Sequence, residues 1–336
     1  MNALKMFFAV GACFLTLLSF AQNTDPIPYN SILWGFCNAN KEILVDPKYT
    51  EARLFSEGLA AVRLKKKWGF IDKTGKEVIS PQYDEVGDFK EGLAAVKIGK
   101  KWGYIDKTGK MLIPLQYEYA GDMCESVSQC EGLARIKLNG KWGFIDKTGK
   151  VIIAPQYEYV ACMCNGSAAI KKGKLQGFID KTGTQIIPYK YDDVLSFSEE
   201  LAAAKLNGKW GYIDKSDKVI IPFQYEEAKW FGEGLAAVKL NGKWGFIDKT
   251  GKIIIPLQFK DAYMFNEGLA PVINFDKKCG FIDKTGKVVI PFQYDYAWSF
   301  INGLALVTLK KDNVYIDKNN TRFCQYCEPA TLKEKE

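Results

Sequence analysis

The chain has 336 residues, of which 47% are hydrophobic and 25% charged, and its net charge is +7. It contains no histidine, which excludes Ser-His-Asp and Cys-His catalysis, histidine-ligated metal sites and the usual general base near neutral pH. The lysines recur among aspartates and glutamates, so the charge indicates a solvated mixed surface rather than a nucleic-acid footprint. We expect no nucleic-acid partner and no cofactor.

The first predicted element is a secretory signal peptide, residues 1–21. Lys5 precedes an apolar run from Met6 to Phe20, and the small residue Ala21 ends it. Because the run is shorter than the roughly 20 residues that span a bilayer, we expect cleavage before Gln22 rather than an anchor. A lipoprotein site at Cys13 is the weaker interpretation, since apolar residues follow it. With no later apolar span, the sequence predicts an exported protein that is periplasmic, cell-surface or secreted.

A segment resembling Lys-Trp-Gly-Phe-Ile-Asp-Lys-Thr-Gly-Lys then recurs nine times. Most copies lie 34 residues apart, with one interval of 40 and one of 35. A fixed period of this size predicts a repeat architecture, in which each unit buries its apolar face against its neighbours. The positions equivalent to the tryptophan are Trp34, Trp68, Trp102, Trp142, Gln176, Trp210, Trp244, Cys279 and Asn313.

The first half of each unit predicts a β-hairpin, as the copy that begins at Leu235 illustrates. Leu235–Leu240 and Lys243–Asp248 have strand-like sequences, and Asn241-Gly242 separates them. Asn-Gly is the strongest short hairpin signal because both turn residues take a positive φ.

A second turn and a third strand complete the unit. Asp248-Lys249-Thr250-Gly251 has Asp first and Gly fourth, as a type I turn prefers. The third strand, Lys252–Ile255, is predicted to end at Pro256, which has no N–H to donate. Each unit is therefore predicted to be a three-stranded antiparallel meander.

The connection to the next unit carries two positions that are large and apolar in every copy, as a continuous core requires. One lies 15 residues after the tryptophan position: Tyr49, Tyr83, Tyr117, Tyr157, Tyr191, Tyr225, Phe259 and Tyr294. The other is at 21 residues, or Phe55, Phe89, Met123, Met163, Phe197, Phe231, Phe265 and Phe300.

These residues resemble the WG-repeat family, named for its Trp-Gly pair. The best copies are residues 67–76, 141–150 and 243–252, and the resemblance extends from about Ser31 to Arg322. It implies an all-β repeat array of a kind common in exported bacterial proteins, generally without an assigned activity. The chain departs from the pattern at Gln176, at Cys279 and in the ninth copy, whose erosion is typical of a terminal cap.

The predicted domains are the signal peptide, a repeat array over 22–323 and a C-terminal segment, 324–336, with a Cys-x-x-Cys pair and a charged tail. Two architectures suit stacked meanders. We favour an open, twisted β-solenoid, because three strands in 34 residues and nine units differ from ordinary propeller blades. The alternative is a propeller-like closed ring, in which Cys37 would reach Cys279, Cys324 or Cys327.

Eight cysteines follow the signal peptide, and an even number in an exported protein predicts disulfides. Cys124 and Cys164 occupy equivalent positions of neighbouring units, and Cys130 lies in the insertion that lengthens one interval to 40. We expect two bonds within the set Cys124, Cys130, Cys162 and Cys164, with all pairings open. The pair Cys324 and Cys327 is predicted to be a terminal staple.

The favoured function is a non-catalytic binding or scaffold protein with an envelope protein or a polysaccharide as partner. One hypothesis is that exposed tryptophans hold the partner, the candidates being Trp68, Trp102, Trp142, Trp210 and Trp244. The other is that these tryptophans form the core, which the alternation with glycine favours.

Carboxylates offer the alternative function, a polysaccharide-acting enzyme that needs no histidine. The most plausible place for such a pair is the break in the repeat, Asp122 to Glu131. The aspartates that recur after each middle strand, such as Asp248, are expected to close turns rather than to bind a metal, since no second acid recurs with them.

Overall fold

A computed structural model of the protein describes residues 27–30, 33–37, 43–122, 132–301, 303–310 and 312–323. The predicted signal peptide and the segment 324–336 lie outside these ranges. Every regular element in the described ranges is a β-strand, and accordingly none of them is a helix suited to crossing a membrane.

The 35 strands form nine antiparallel sheets in chain order, the first with three strands and the others with four. Sheets 1 to 3 are β1 (Ile27–Asn30), β2 (Trp34–Cys37), β3 (Ile43–Tyr49); β4 (Glu51–Ser56), β5 (Leu59–Leu64), β6 (Lys67–Asp72), β7 (Glu77–Tyr83); and β8 (Glu85–Val86), β9 (Leu93–Ile98), β10 (Lys101–Asp106), β11 (Met111–Tyr117). Sheets 4 to 6 are β12 (Tyr119–Ala120), β13 (Leu133–Leu138), β14 (Lys141–Asp146), β15 (Val151–Tyr157); β16 (Tyr159–Val160), β17 (Ser167–Lys172), β18 (Leu175–Asp180), β19 (Gln185–Tyr191); and β20 (Asp193–Val194), β21 (Ala202–Leu206), β22 (Lys209–Ile213), β23 (Val219–Tyr225). Sheets 7 to 9 are β24 (Glu227–Gly232), β25 (Leu235–Leu240), β26 (Lys243–Ile247), β27 (Ile253–Phe259); β28 (Asp261–Ala262), β29 (Leu269–Ile273), β30 (Cys279–Asp283), β31 (Val288–Tyr294); and β32 (Tyr296–Ala297), β33 (Leu304–Leu309), β34 (Asp312–Asp317), β35 (Arg322–Phe323).

The predicted three-stranded meander is present in every unit, and its turns are as expected. Asn241 and Gly242 both have a positive φ, 51° and 73°. In the second turn the Gly251 N–H donates to the carbonyl oxygen of Asp248 at 2.9 Å. The structure adds a strand that the sequence did not predict: the start of each connection pairs with the first long strand of the next unit, as Glu85–Val86 does with β9.

The third strand does not end at its proline, so that local prediction was wrong. β27 continues through Pro256 to Phe259, and its pairing with β26 shifts register on both sides of Phe246. The strand lies at the edge of its sheet, where the missing N–H of proline leaves no partner unpaired.

The irregular pairing at the proline explains the Trp-Gly signature. A Cβ placed on Gly245 would lie 2.6 Å from the carbonyl oxygen of Ile255 and 2.8 Å from the backbone nitrogen of Leu257. The same backbone approach is found at the equivalent glycines of six other sheets: Gly69, Gly103, Gly143, Gly177, Gly211 and Gly280. Only glycine leaves room for the edge strand in these seven sheets, whereas sheet 9, whose last strand has two residues, has Val314 at this position.

The core lies between neighbouring sheets, so the middle strands of sheets 2 to 8 are largely buried on both faces, unlike β34 of the last sheet. Phe246 of sheet 7 packs against Phe265 of the next connection, with ring centroids 4.9 Å apart. Five other sheets repeat this aromatic pair. At the second turn, Gly251 fits against Ile221 of the preceding sheet. The two predicted core positions are therefore confirmed wherever the side chains are described, with Phe55 and Tyr157 half-buried and the rest buried.

The sheets form an open array. Every extensive contact between described sheets joins sheets adjacent in the sequence, and no described strand of sheet 9 pairs with one of sheet 1. No sheet closes into a barrel. The thiol of Cys279, a possible partner of Cys37 in a closed ring, is buried and free. The all-β tandem array is confirmed, and its open order agrees with the solenoid prediction.

Candidate functional site

One set of side chains lies side by side across each sheet at the level of the tryptophan; we call it the tryptophan row. In sheet 7 it runs from Glu227 through Lys239 and Trp244 to Phe259, in register on four neighbouring strands. Lys239 Nζ lies 2.7 Å from Glu227 Oε1. An acid, a base and two rings thus form a charge-neutral strip, and stacking of the sheets places successive strips next to each other.

The predicted ligand-contact tryptophans are mostly core residues. Trp68, Trp102, Trp210 and Trp244 are only 6%, 9%, 8% and 3% exposed. Trp142 is the exception, since it is half-buried. The hypothesis that exposed tryptophans hold the partner therefore does not apply to these four indole rings, because neighbouring sheets cover them. Trp142 keeps surface that a ligand can reach.

The rows of sheets 4 and 5 combine a tyrosine at the first position with a lysine at the second, whereas sheet 9 pairs Tyr296 with Thr308. Sheets 2, 3, 6, 7 and 8 have an acid at the first position, but sheets 4 and 5 have Tyr119 and Tyr159. The rings form a continuous run from Trp102 of sheet 3: Trp102 to Tyr119 is 6.2 Å, Tyr119 to Trp142 is 5.0 Å and Trp142 to Tyr159 is 6.3 Å between centroids. Tyr159 is 37% exposed.

The same two rows have lost the acid that neutralises their lysine. Lys137 pairs in register with Tyr119, and Lys171 with Tyr159. Neither lysine forms an ion pair with a described residue, and Lys137 Nζ instead lies 5.7 Å from the centre of the Trp142 ring. Here the rows therefore present positive charge beside aromatic rings.

A second irregular region joins sheets 7 and 8 around Lys229. Its Nζ donates to Asp261 Oδ1 at 2.9 Å and to the carbonyl oxygen of Ala262 at 2.6 Å. The same nitrogen lies 4.5 Å from the centre of the Trp244 ring and 3.9 Å from that of Tyr263. Burial lowers the pKa of Lys229, while Asp261 works in the opposite direction. This ammonium group ties two sheets together and covers Trp244.

The thiol of Cys279 borders this region. Cys279 stands where most units have tryptophan and is fully buried. Burial raises its pKa to about 12, and the nearby Asp261 carboxylate adds to the shift. Burial likewise raises the pKa of Tyr263. These groups hold their protons at neutral pH, so the region is a neutral, packed cluster around one ion pair rather than a set of activated nucleophiles.

The recurring aspartates close their turns, as predicted. Asp248 Oδ1 accepts the Thr250 hydroxyl at 2.6 Å and the N–H groups of Thr250 and Lys252 at 2.9 and 3.0 Å. The hydroxyl, foremost among these donors, lowers the pKa of the carboxyl. In the described part of the chain, no three residues among Asp, Glu and Cys are grouped as metal ligands.

A second set of acids joins neighbouring sheets at one end of the array. Glu233, in the turn before β25, accepts the Gly268 N–H of the next sheet at 3.1 Å and lies 3.0 Å from Lys284. The pairs Glu57–Lys107, Glu199–Lys249 and Glu267–Lys318 repeat this contact. These carboxylates are thus structural as well.

Most of the predicted disulfide cysteines lie outside the described residues, namely Cys124, Cys130, Cys324 and Cys327. Cys162 and Cys164 are described and half-buried, just before β17. The pairings stay a prediction. Of the insertion Asp122 to Glu131 only Asp122 is described, so the carboxylate pair proposed there also stays a prediction.

Sequence reasoning missed the tryptophan row, although a signal was present. The residue 17 positions after the tryptophan is an acid in five units and a tyrosine at Tyr119, Tyr159 and Tyr296. Aligning the copies at this position and at the residue opposite it would have separated sheets 4 and 5 from the rest, since Tyr296 faces Thr308 rather than a lysine. That the position faces a lysine, however, depends on the short strand that was not predicted.

Comparison with known families identifies the repeats. The family model described as WG containing repeat matches eight successive segments: residues 34–68, 68–102, 102–142, 142–175, 177–210, 210–244, 244–279 and 280–313. No curated protein matches the chain in sequence.

Solved structures resemble the chain at low sequence identity. A crystal structure of the eukaryotic initiation factor is similar with a TM-score of 0.59 and 13% identity, covering 90% of this chain and 96% of that one. The computationally designed Ika8 protein has a TM-score of 0.46 at 12% identity, covering 82% and 95% of the two chains. BamB from Moraxella catarrhalis has a TM-score of 0.42 at 10% identity, covering 81% and 95%. At such identity the first likeness bears on the fold alone.

Proposed function

The chain belongs to the family of WG-containing repeat proteins, and on that premise we propose that it is a non-catalytic binding or scaffold protein of the cell envelope or extracellular space. It presents a repetitive β surface to a protein or glycan partner. The observation that carries the proposal is that the repeated side chains have different structural roles. Four of the row tryptophans fill the core, and carboxylates such as Asp248 and Glu233 stabilise turns and contacts between neighbouring sheets. The exposed part of the tryptophan row changes from sheet to sheet.

Export rests on the opening sequence, whose apolar run and small final residue are typical of a secretory signal. The array suits a long partner, because equivalent positions recur on successive sheets and several weak contacts act together. Linked contacts of this kind raise avidity without any single strong site. A scaffold needs no activated nucleophile, and the buried Cys279 thiol with its raised pKa agrees with such a role.

The proposal is tested by affinity purification of the tagged full chain from its native envelope after mild crosslinking, with proteins and glycans both analysed. A tagged exported protein of unrelated fold serves as the control bait. We expect a stoichiometric protein or an envelope polysaccharide that the control does not recover.

A parallel assay addresses catalysis. The purified protein is incubated with the recovered polysaccharide, and new reducing ends are measured over time. We expect none above the control. Steady release of reducing ends, or the absence of any specific partner in the purification, would overturn the proposal.

A further inference from the structure

The rows of sheets 4 and 5 form a surface with a chemistry of its own. In sheets 3 and 7 the row lysine is neutralised by a glutamate in register, with Lys97 2.5 Å from Glu85 and Lys239 2.7 Å from Glu227. In sheets 4 and 5 tyrosine replaces that glutamate. We call the group Tyr119, Lys137, Trp142, Tyr159 and Lys171 the tyrosine–lysine surface.

The aromatic part of this surface is accessible. Tyr159 is 37% exposed, Trp142 is half-buried, and their ring centroids lie 6.3 Å apart. In sheet 7 Lys229 covers Trp244, whereas Gly121 occupies the equivalent place in sheet 4. The Arg135 guanidinium lies 5.6 Å from the Trp142 ring and 5.9 Å from the Tyr119 ring, which adds positive charge beside them while Trp142 stays half-buried. Tyr and Trp rings combine a flat apolar face with a polar tip, which suits a ligand that has both kinds of surface.

The charged part of the surface is positive. Next to Lys137 and Lys171, the hairpin turns of these two sheets carry Lys141, Lys172 and Lys174, all exposed. Among the described residues of these hairpins, Glu118 and Glu158 are acids that accept the N–H groups of Gly140 and Gly173 in the same turns. The described hairpin ends of these two sheets therefore carry five lysines and two turn-capping carboxylates, and the excess positive charge attracts an anionic ligand.

We propose that the tyrosine–lysine surface binds an acidic polysaccharide whose sugar units carry carboxylates. This inference rests on the proposed binding function and names the class of its ligand. A pyranose ring has an apolar C–H face that packs on Tyr159 and Trp142, while its carboxylate pairs with Lys171 or Lys137. Because the same row recurs on two stacked sheets, a chain with a repeating charge contacts both, as a single small anion does not.

The test is titration of the full-length tagged protein with sodium polygalacturonate, with neutral dextran and dextran sulfate as comparison polymers, by calorimetry. Polygalacturonate should bind, more weakly as salt is raised because exposed charges are screened. Dextran should not bind. Replacing Lys171 with Gln should weaken polygalacturonate binding roughly threefold, the range expected for one exposed ion pair.

Two variants isolate the surface. Tyr159→Glu restores the acid that other rows have, removes one ring and neutralises Lys171, so it should weaken binding more than Lys171→Gln. The matched control is Lys239→Gln in sheet 7, where the lysine is already paired with Glu227, and it should leave binding unchanged. Denaturation midpoints of all three variants show whether each one is folded. If Tyr159→Glu is not, Lys171→Gln, which alters only the end of a half-buried side chain, takes its place.

Three results would overturn the inference: no binding of polygalacturonate, equal binding of dextran, or equal binding of dextran sulfate that Tyr159→Glu does not change. None of these results contradicts the proposed binding or scaffold function. A partner recovered from the native envelope by the Tyr159→Glu protein would still establish that function. Loss of that partner together with polygalacturonate binding would show that both rest on this surface.

Discussion

Sheets 4 and 7 contain the same tryptophan row, yet the two rows have opposite relations to solvent. In sheet 7 Trp244 is 3% exposed beneath Lys229, and Lys239 is neutralised by Glu227. In sheet 4 Trp142 is half-buried and its row lysine has no acid in register. The folds of the two sheets are alike, so the difference comes from a few side chains. It shows how a repeat array keeps the same strands and turns, which give stability, while the side chains of the tryptophan row vary and serve binding.

The largest expected effect is on the two tryptophans themselves. Trp244→Ala should lower the free energy of unfolding by about 3–5 kcal/mol, the usual cost of truncating a buried aromatic residue. Trp142→Ala should cost roughly half as much, because part of its surface is already in water. Urea denaturation followed by circular dichroism measures both changes.

Phe275→Ala is the control for the tryptophan pair, since that ring is 57% exposed and lies in a turn. It should leave the denaturation midpoint nearly unchanged. Equal losses for Trp142→Ala and Trp244→Ala would contradict the comparison, because they would mean that the two rows are buried alike.

A smaller effect is expected from the ion pair that covers Trp244. Asp261→Ala leaves the half-buried Lys229 ammonium without its carboxylate, which should cost about 1–2 kcal/mol as the loss of one charged hydrogen bond. The matched control is Asp193→Ala in sheet 6. Asp193 accepts the next backbone N–H just as Asp261 does, at 2.9 and 2.8 Å, and its described side-chain partner is the neutral Gln176 amide at 2.9 Å rather than a lysine.

The difference between the two aspartate variants in urea denaturation thus compares the charged Lys229 contact with the neutral Gln176 contact on the same backbone cap. We also expect the fluorescence of Trp244 to change only in Asp261→Ala, since Lys229 lies against that ring. Equal destabilisation by both variants would mean that the backbone cap, and not the ion pair, is what Asp261 contributes.

Local sequence determines much of this fold, because turns and strands depend on neighbouring residues. Asn241-Gly242 and Asp248–Gly251 have the predicted turn conformations, and the recurring aromatic positions are in the core. Extension of the third strand through Pro256 was not predictable in the same way. It requires an edge position and a glycine opposite, which only the sheet order reveals.

The candidate site was predicted less well because its contacts cross between units. Asp261 lies 32 residues after Lys229, and the ring of Tyr159 reaches Trp142 from the next sheet. The sequence placed the tryptophans in a series but did not show which of them has a lysine, a glycine or a tyrosine beside it. That information depends on the register of a two-residue strand.

The smallest expected effect is on stability at low pH. It concerns the second turn of the unit, which is the same in sheets 4 and 7. The Thr148 and Thr250 hydroxyls donate to Asp146 and Asp248 at 2.6 Å and, with backbone N–H groups, hold the pKa of each carboxyl below its usual value. Each carboxylate therefore binds a proton less readily in the folded than in the unfolded chain. Its contribution is complete above a pH of about 4 and is lost as the pH falls through the lowered pKa.

Asp146→Asn and Asp248→Asn should therefore reduce, by equal amounts, the loss of stability between pH 5 and pH 2, roughly the range over which such carboxyls protonate. Urea midpoints measured across that range give the slope for each variant. Asp276→Asn is the control, because its carboxylate accepts only one long hydrogen bond, 3.5 Å from the Asn274 side chain. Unequal slopes for the two turn variants would show that the irregular row of sheet 4 also alters its turn. The turns would then not be independent of the side chains in the tryptophan row.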